Sequence, residues 1–381
     1  MKVIKRILII AGVLLVLLVA AAFSIPFLFK GKLLAFAKQE INATLNAKVD
    51  FQDVSLSLFR SFPNLNFQMQ NFSVTGVDAF EGVRLVGGQS AEFTLDLMSV
   101  LSGSGPVEIK SVHLEKPEVN VFVLKDGVAN YDIVKPSDAP ETPAESVDYS
   151  GLQINLREYS IAGGNILYDD KSGDIFLEIK NLNHSGEGNF TIDVFDLRTK
   201  TAIEALTVAQ GGITLLNKAK TNLEATFNID QKNSKYTLKD NVLRVNELQL
   251  NAAGFVQMPP ESDDIAMNLK FSSPQNDFKS LFSLIPSAYI EGYENVKVNG
   301  KFDLAGDVKG VYNGEKEQYP AFRVQIAVEN GDVKYPDLPL GIANIQAQVD
   351  INSPNSNFDN MVVNVSRFAM KVGSNPFEGK F

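Results

Sequence analysis

The sequence predicts a mainly β protein, in which an N-terminal transmembrane helix and a short amphipathic helix precede a long, mostly antiparallel β-sheet. Three observations carry that prediction. One apolar run, Ile7 to Phe29, holds no charged residue and is flanked by Lys2, Lys5, Arg6, Lys30 and Lys32. From Val49 onward apolar residues recur with period two, the spacing that sends alternate side chains to opposite faces of a strand. Glycine turn pairs punctuate the pattern, and few helical stretches remain for the crossovers that parallel strands need.

The 23 residues of the run would make a helix about 35 Å long, enough to cross a hydrocarbon core of ~30 Å with some tilt. A cleaved signal peptide is the rival, because Ala20, Ala21 and Ala22 offer a small-residue site. The apolar run continues past that site to Phe29, which favours an anchor. The amino-terminal cluster of basic residues places the N-terminus in the cytoplasm and the body outside. Residues 1–29 are therefore read as cytoplasmic N-terminus and anchor. Residues 30–46 follow as an amphipathic linker helix, with Leu33, Leu34, Ala37, Ile41 and Leu45 on one side and Lys38, Gln39 and Asn42 on the other.

The alternation is clearest in three places. Leu223, Ala225, Phe227 and Ile229 alternate with Asn222, Glu224, Thr226 and Asn228; Ile265, Met267, Leu269 and Phe271 follow the same rule; Phe322, Val324, Ile326 and Val328 alternate with Arg323, Gln325, Ala327 and Glu329. Turns are expected at Asp126-Gly127, Gly163-Gly164, Gly211-Gly212, Asn299-Gly300 and Asn330-Gly331. Lys135 to Val147 is rich in Pro, Ser and acids with nothing to bury, and is expected to be a mobile loop. A short helix is expected over Phe278 to Leu284, started near Asn276 or Asp277. Glu158–Leu182 and Val328–Ile345 are weakly alike, each reading strand, Gly turn, strand, loop and a strand with Asn. Met361–Val365 and Phe368–Val372 read as strands, and Asn375-Pro376-Phe377 as a turn into another. An open last strand suggests that the chain is an N-terminal fragment.

Composition removes several function classes. The net charge is −10, and with three positive charges ahead of the run the remainder carries −13. An acidic body is a poor partner for nucleic acid or anionic headgroups. Without cysteine there is no disulfide, thiolate nucleophile or cysteine metal site. His113 reads as a strand surface residue and His184 as a solvated turn residue. Asp169, Asp170 and Asp174 lack the spacing and closing Glu of a Ca²⁺ loop, so a hairpin turn is expected there. No motif of nucleophilic, phosphate-binding or metal chemistry is present, so neither catalysis nor a cofactor is expected. An amphipathic sheet of this length must cover its apolar face with a second sheet, by curling on itself, or with an apolar ligand. Alternation is the same in all three cases.

Wording in the first 134 residues narrows the choice. Val54 to Leu65 (VSLSLFRSFPNL), the Pro117-x-Val119-x-Val121 strand, and the turn of Asp126, Gly127, Asn130, Tyr131, Asp132 and Ile133 resemble the AsmA family of bacterial envelope proteins. The later YDD turn and FKSLFSLIP segment are also similar to members. The resemblance implies an inner-membrane anchor and a periplasmic, curved sheet forming a hydrophobic groove. It implies an N-terminal AsmA-like region over 47–134, then the loop 135–147, then a continuing groove over 148–381. The implied partners are phospholipid acyl chains, the inner membrane through one helix, and outer-membrane or periplasmic proteins. The residues implied to face lipid are Phe227, Ile229, Met267, Leu269, Phe322, Val324, Ile326 and Val328.

Overall fold

A computed structural model describes Lys38, Asn42 and residues 45–58, 61–102, 107–133, 135, 152–260, 262–274, 277–284, 296–314, 316–335, 338–355 and 357–380. The expected anchor (1–29), most of the expected linker helix (30–46) and nearly all of the Pro- and acid-rich stretch lie outside these residues. Among the described residues no helix is long and apolar enough to cross a membrane.

Asn42 holds the start of the sheet. Its amide donates to Lys38 O (2.8 Å) and Val49 O (3.0 Å), and its side-chain oxygen accepts from Val49 N (2.6 Å). Lys38 also pairs with Asp50. Strands β1 (Lys48–Asp50) and β2 (Asp53–Ser57) then lie end to end along β3 (Leu65–Thr75). Next comes β4 (Arg84–Leu95), and after it β5 (Val107–Glu115) and β6 (Glu118–Val123), again end to end. Helix α1 (Leu97–Ser102) links β4 to β5.

Long strands follow: β7 (Leu152–Asp170), β8 (Ile175–Glu187), β9 (Val194–Gln210) and β10 (Ile213–Asp230). Shorter ones come next: β11 (Lys235–Val245), β12 (Leu248–Gln257) and β13 (Ile265–Ser272). Helix α2 (Phe278–Phe282) precedes β14 (Lys297–Tyr312), β15 (Ala321–Lys334), β16 (Ile342–Ser353), β17 (Val362–Val372) and β18 (Asn375–Gly379). The eighteen strands among the described residues form one sheet, and from β7 to β18 each strand pairs with the next in sequence.

Pairing is antiparallel throughout with one exception: β5 and β6 run parallel to β7. A parallel neighbour needs a return connection of a dozen or more residues, and residues 124–151 supply it. The turn that opens this connection explains the 126–133 wording. Asn130 is buried; its amide donates to Asn120 O (2.7 Å) and its oxygen accepts from Phe122 N (2.9 Å). Ile133 O accepts from Asn46 N (2.7 Å), tying the turn to the start of β1.

Three expected turns are bulges instead. Gly163-Gly164 lies inside β7, Asn299-Gly300 inside β14 and Asn330-Gly331 inside β15. The glycine pair looked like a hairpin because both features favour φ > 0; here the strand continues beyond it. Neighbouring strands share the irregularity. Left-handed φ occurs at Asn71, Lys116, Gly163, Asn181, Lys218, Gly300, Asn330 and Asn344, and the pairing register shifts beside most of them. Each bulge bends and twists its strand.

The weak internal similarity is this bulge used twice. Gly164 pairs with Leu182 and Gly331 with Ile345. The next residue on the bulged strand, Asn165 or Asp332, accepts from the N–H of a left-handed asparagine on the partner strand, Asn181 (3.2 Å) or Asn344 (2.9 Å). At the C-terminal end, the two strands expected over 361–372 are the single strand β17, and Asn375-Pro376-Phe377 is already within β18.

Candidate functional site

Antiparallel partners directly opposite one another project to the same face, so the register shows which residues share a face. Phe227 pairs with Leu238, Leu238 with Gly254, Gly254 with Leu269, Leu269 with Val308 and Val308 with Phe322. Leu197 of β9 extends this row on one side. The row crosses seven strands, about 29 Å at 4.8 Å per strand. Parallel to it run Ile229–Tyr236–Val256–Met267 and Phe271–Gly306–Val324–Ile351. Two more rows are Leu304–Ile326–Val349–Val365 and Phe302–Val328–Ala347–Phe368.

All eight residues singled out in the sequence stand on this one face. Phe227, Met267, Leu269, Phe322, Val324 and Ile326 are half-buried, whereas Ile229 and Val328 are buried. Glycines lie within the rows. At Gly306 a Cβ would come within 2.3 Å of the Phe271 ring, so the ring lies across that position.

A helix seals one stretch of the face. The Asp277 side chain accepts from Lys279 N (2.9 Å) and starts α2, as the sequence predicts. Phe278 of that helix packs with Leu248, Val298, Phe302, Val328 and Val333, and Ile326 borders the cluster. Phe302 is 1% exposed and Leu248 2%. The signal for this cap was the short helix pattern; the alternation of β14 and β15 did not distinguish its position from the rest of the face.

A polar island interrupts the apolar face. His184 lies within β8, not in a turn: the NLNHSGEG glycine that suggested a turn, Gly186, is a strand residue whose missing side chain leaves room for the Tyr159 ring. The His184 Nδ1 is 2.8 Å from Thr201 Oγ1 and the Nε2 3.3 Å from Tyr159 Oη. Burial pulls the imidazole below its ordinary pKa and pushes the Tyr159 phenol up. Phe190 and Phe195, with ring centroids 4.6 Å apart, close over the same region. His113, by contrast, is a partly exposed strand residue, 2.7 Å from Ser160 Oγ through its Nδ1.

The opposite face is polar and paired. Arg323 Nε donates to Asp350 Oδ1 (3.0 Å), and Lys239 Nζ donates to Asp196 Oδ1 (2.7 Å). These hydrogen bonds hold both carboxyl groups below the usual range. A cavity of about 630 Å³ on this face is lined by Gln68, Gln70, Arg84, Ser90 and Glu115, a polar wall unsuited to hydrocarbon. The YDD segment is a hairpin turn: Asp170 accepts from Ser172 N and Gly173 N, both at 2.9 Å. No cluster of three metal-ligating side chains occurs among the described residues.

The described strands form one large sheet whose apolar residues line one face, which defines a single-sheet, mainly β protein. Comparison with family sequences then places it: the AsmA family model matches residues 1–285, and the chain belongs to the AsmA family. The match runs well past Val134, where the sequence wording is strongest. Neither the curated proteins nor the solved structures give a match to this chain.

Proposed function

We propose that the chain is a non-catalytic, membrane-anchored periplasmic protein whose apolar face is a hydrophobic groove for phospholipid acyl chains. It would shield or conduct them for outer-membrane lipid homeostasis. The observation that carries this reading is the set of half-buried apolar rows whose directly paired members cross β9 to β16. A covered face would bury such side chains, as it does beneath α2. An acyl chain laid along the Phe227–Leu238–Leu269–Val308 row leaves water at ~0.8 kcal/mol per CH₂. A row of about 29 Å exceeds one leaflet, half of a ~30 Å hydrocarbon core. Family membership and the apolar run Ile7–Phe29 support an inner-membrane location with the bulk of the chain in the periplasm.

The test is lipid mass spectrometry on the full chain purified in mild detergent. Phospholipid should co-purify, and Val324→Asp should lower its amount several-fold while the β circular-dichroism signal persists. No lipid in the unsubstituted protein, or unfolding of Val324→Asp as of a core variant, would sink the proposal.

A second reading is an envelope scaffold or outer-membrane protein assembly factor that binds clients by strand edges. Exposure of Met361, Val362, Val363 and Phe377 on β17 and β18 and just before them favours it. Photo-crosslinkers at Leu269 and Phe377 separate the two: lipid adducts at Leu269 support the groove, and protein adducts concentrated at Phe377 support the scaffold.

A further inference from the structure

Three of the most exposed large apolar side chains lie together at one end of β2 to β5. Phe62, in the β2–β3 turn, is 81% exposed, and Met98 and Leu101 of α1 are 71% and 69% exposed. They are held in place from beneath. Lys110 Nζ donates to Asn64 Oδ1 (2.9 Å) in the turn and to Asp96 Oδ2 (2.5 Å) at the start of α1. Asp96 Oδ1 accepts from Ser99 N (2.9 Å), and Ser99 Oγ accepts from Glu108 N (3.0 Å). The network fixes the turn and the helix relative to one another and leaves their apolar side chains pointing away from it. Leu56 of β2, 45% exposed, continues the patch onto the apolar face through its partner Phe67.

The chain's own order says what covers this patch. β1 and β2 form the first edge of the sheet, and Lys38 and Asn42 are bonded to β1. Only eight residues, 30–37, lie between Phe29, the end of the apolar run, and Lys38, a reach of about 30 Å over the nine steps at full extension. The first edge is therefore tethered close to the bilayer that holds the run. The tether arrives opposite Val74, and the patch lies beyond Leu65 at the other end of β3, about 30 Å along the strand.

We infer that Phe62, Met98 and Leu101 form a second membrane contact. The first edge of the sheet then stands on the bilayer at two points, the anchor at one end and this patch at the other, with Leu56 leading from the lipid to the apolar face. The inference rests on the anchored reading given above. Two contacts fix the strand direction parallel to the membrane, so the rows of the apolar face rise away from it.

The chain has no tryptophan, so Phe62→Trp creates a single fluorescent reporter at a site too exposed to disturb the fold. The full chain is reconstituted in phosphatidylcholine vesicles and quenched with brominated lipid, with Met98→Trp as a second probe and Phe377→Trp, in the last strand, as the distant control. Blue-shifted emission and several-fold stronger quenching at positions 62 and 98 than at 377 are expected. Water-like emission at 62 and 98 in protein that floats with the vesicles overturns the contact, leaves the anchor and groove standing, and assigns the patch to a protein partner. Equal quenching at all three positions also overturns it, because the sheet then lies flat. Protein that does not float overturns the anchored reading and the contact together.

Discussion

Leu248 and Leu269 are the same residue type on the same face of two adjacent strands, β12 and β13, and differ in outcome. Leu248 lies under α2 and is almost fully buried. Leu269, in the row that runs to Val308 and Phe322, is half-buried. β14 contains both situations on one strand: Phe302 is sealed in the cluster, and Val308, six residues on, is half-buried. Nothing local to the strands distinguishes them. The difference is a five-residue helix that covers one stretch of the face, and it separates a hydrophobic core from a half-buried apolar surface.

The comparison can be broken most directly by truncation. Leu248→Ala should cost about 2–5 kcal/mol, the range for removing a packed core leucine and leaving a cavity, read as a lowered urea midpoint. Leu269→Ala should cost about 1 kcal/mol or less, since much of the lost contact area is already in solvent. Equal losses would mean that both stretches are core and would remove the basis for a lipid-binding face.

Removing the cap's own start is the next largest effect. Asp277→Ala deletes the side-chain acceptor for Lys279 N and should cost about 1 kcal/mol. The loss is local: hydrogen exchange should quicken at Val298–Phe302 and stay unchanged at Leu269. Uniform quickening across β13 and β14 would show that α2 stabilises the whole sheet and not one stretch of it.

The smallest effect concerns the polar island. Burial holds His184 below its ordinary value of 6.5, so the neutral ring is the folded form. Below pH 6.5 the unfolded chain binds the additional proton; the contribution is therefore full above that pH and is lost as pH falls through the lower folded value. His184→Phe should flatten the fall in melting temperature between neutral and mildly acid pH. An unchanged acid limb would assign that sensitivity to other groups.

Much of the fold was legible beforehand. Alternation in 223–229, 265–271 and 322–328 named the strands and the face correctly, because side-chain period is a local property of extended backbone. The α2 start was legible from Asp277 ahead of Phe278. The bulges were not: Gly163-Gly164 and Asn330-Gly331 present the same residue preference as a hairpin, and only continued pairing with β8 and β16 separates the two. His184 was misplaced for the same reason, with Gly186 serving the Tyr159 ring and not a turn. Phe62, Met98 and Leu101 went unremarked because single apolar residues in a turn or a short helix carry no periodic signal.

The sequence by itself determined the strand-rich character, the sign and size of the charge, the apolar run ahead of the sheet, and which side chains share a face. Those properties follow from residue type and spacing along the chain. Tertiary structure alone decided that the eighteen strands among the described residues form one sheet with a parallel step at β7, that bulges recur on neighbouring strands, and where α2 lies. Burial depends on what a distant segment places over a side chain, and that information is carried by no single stretch of the chain.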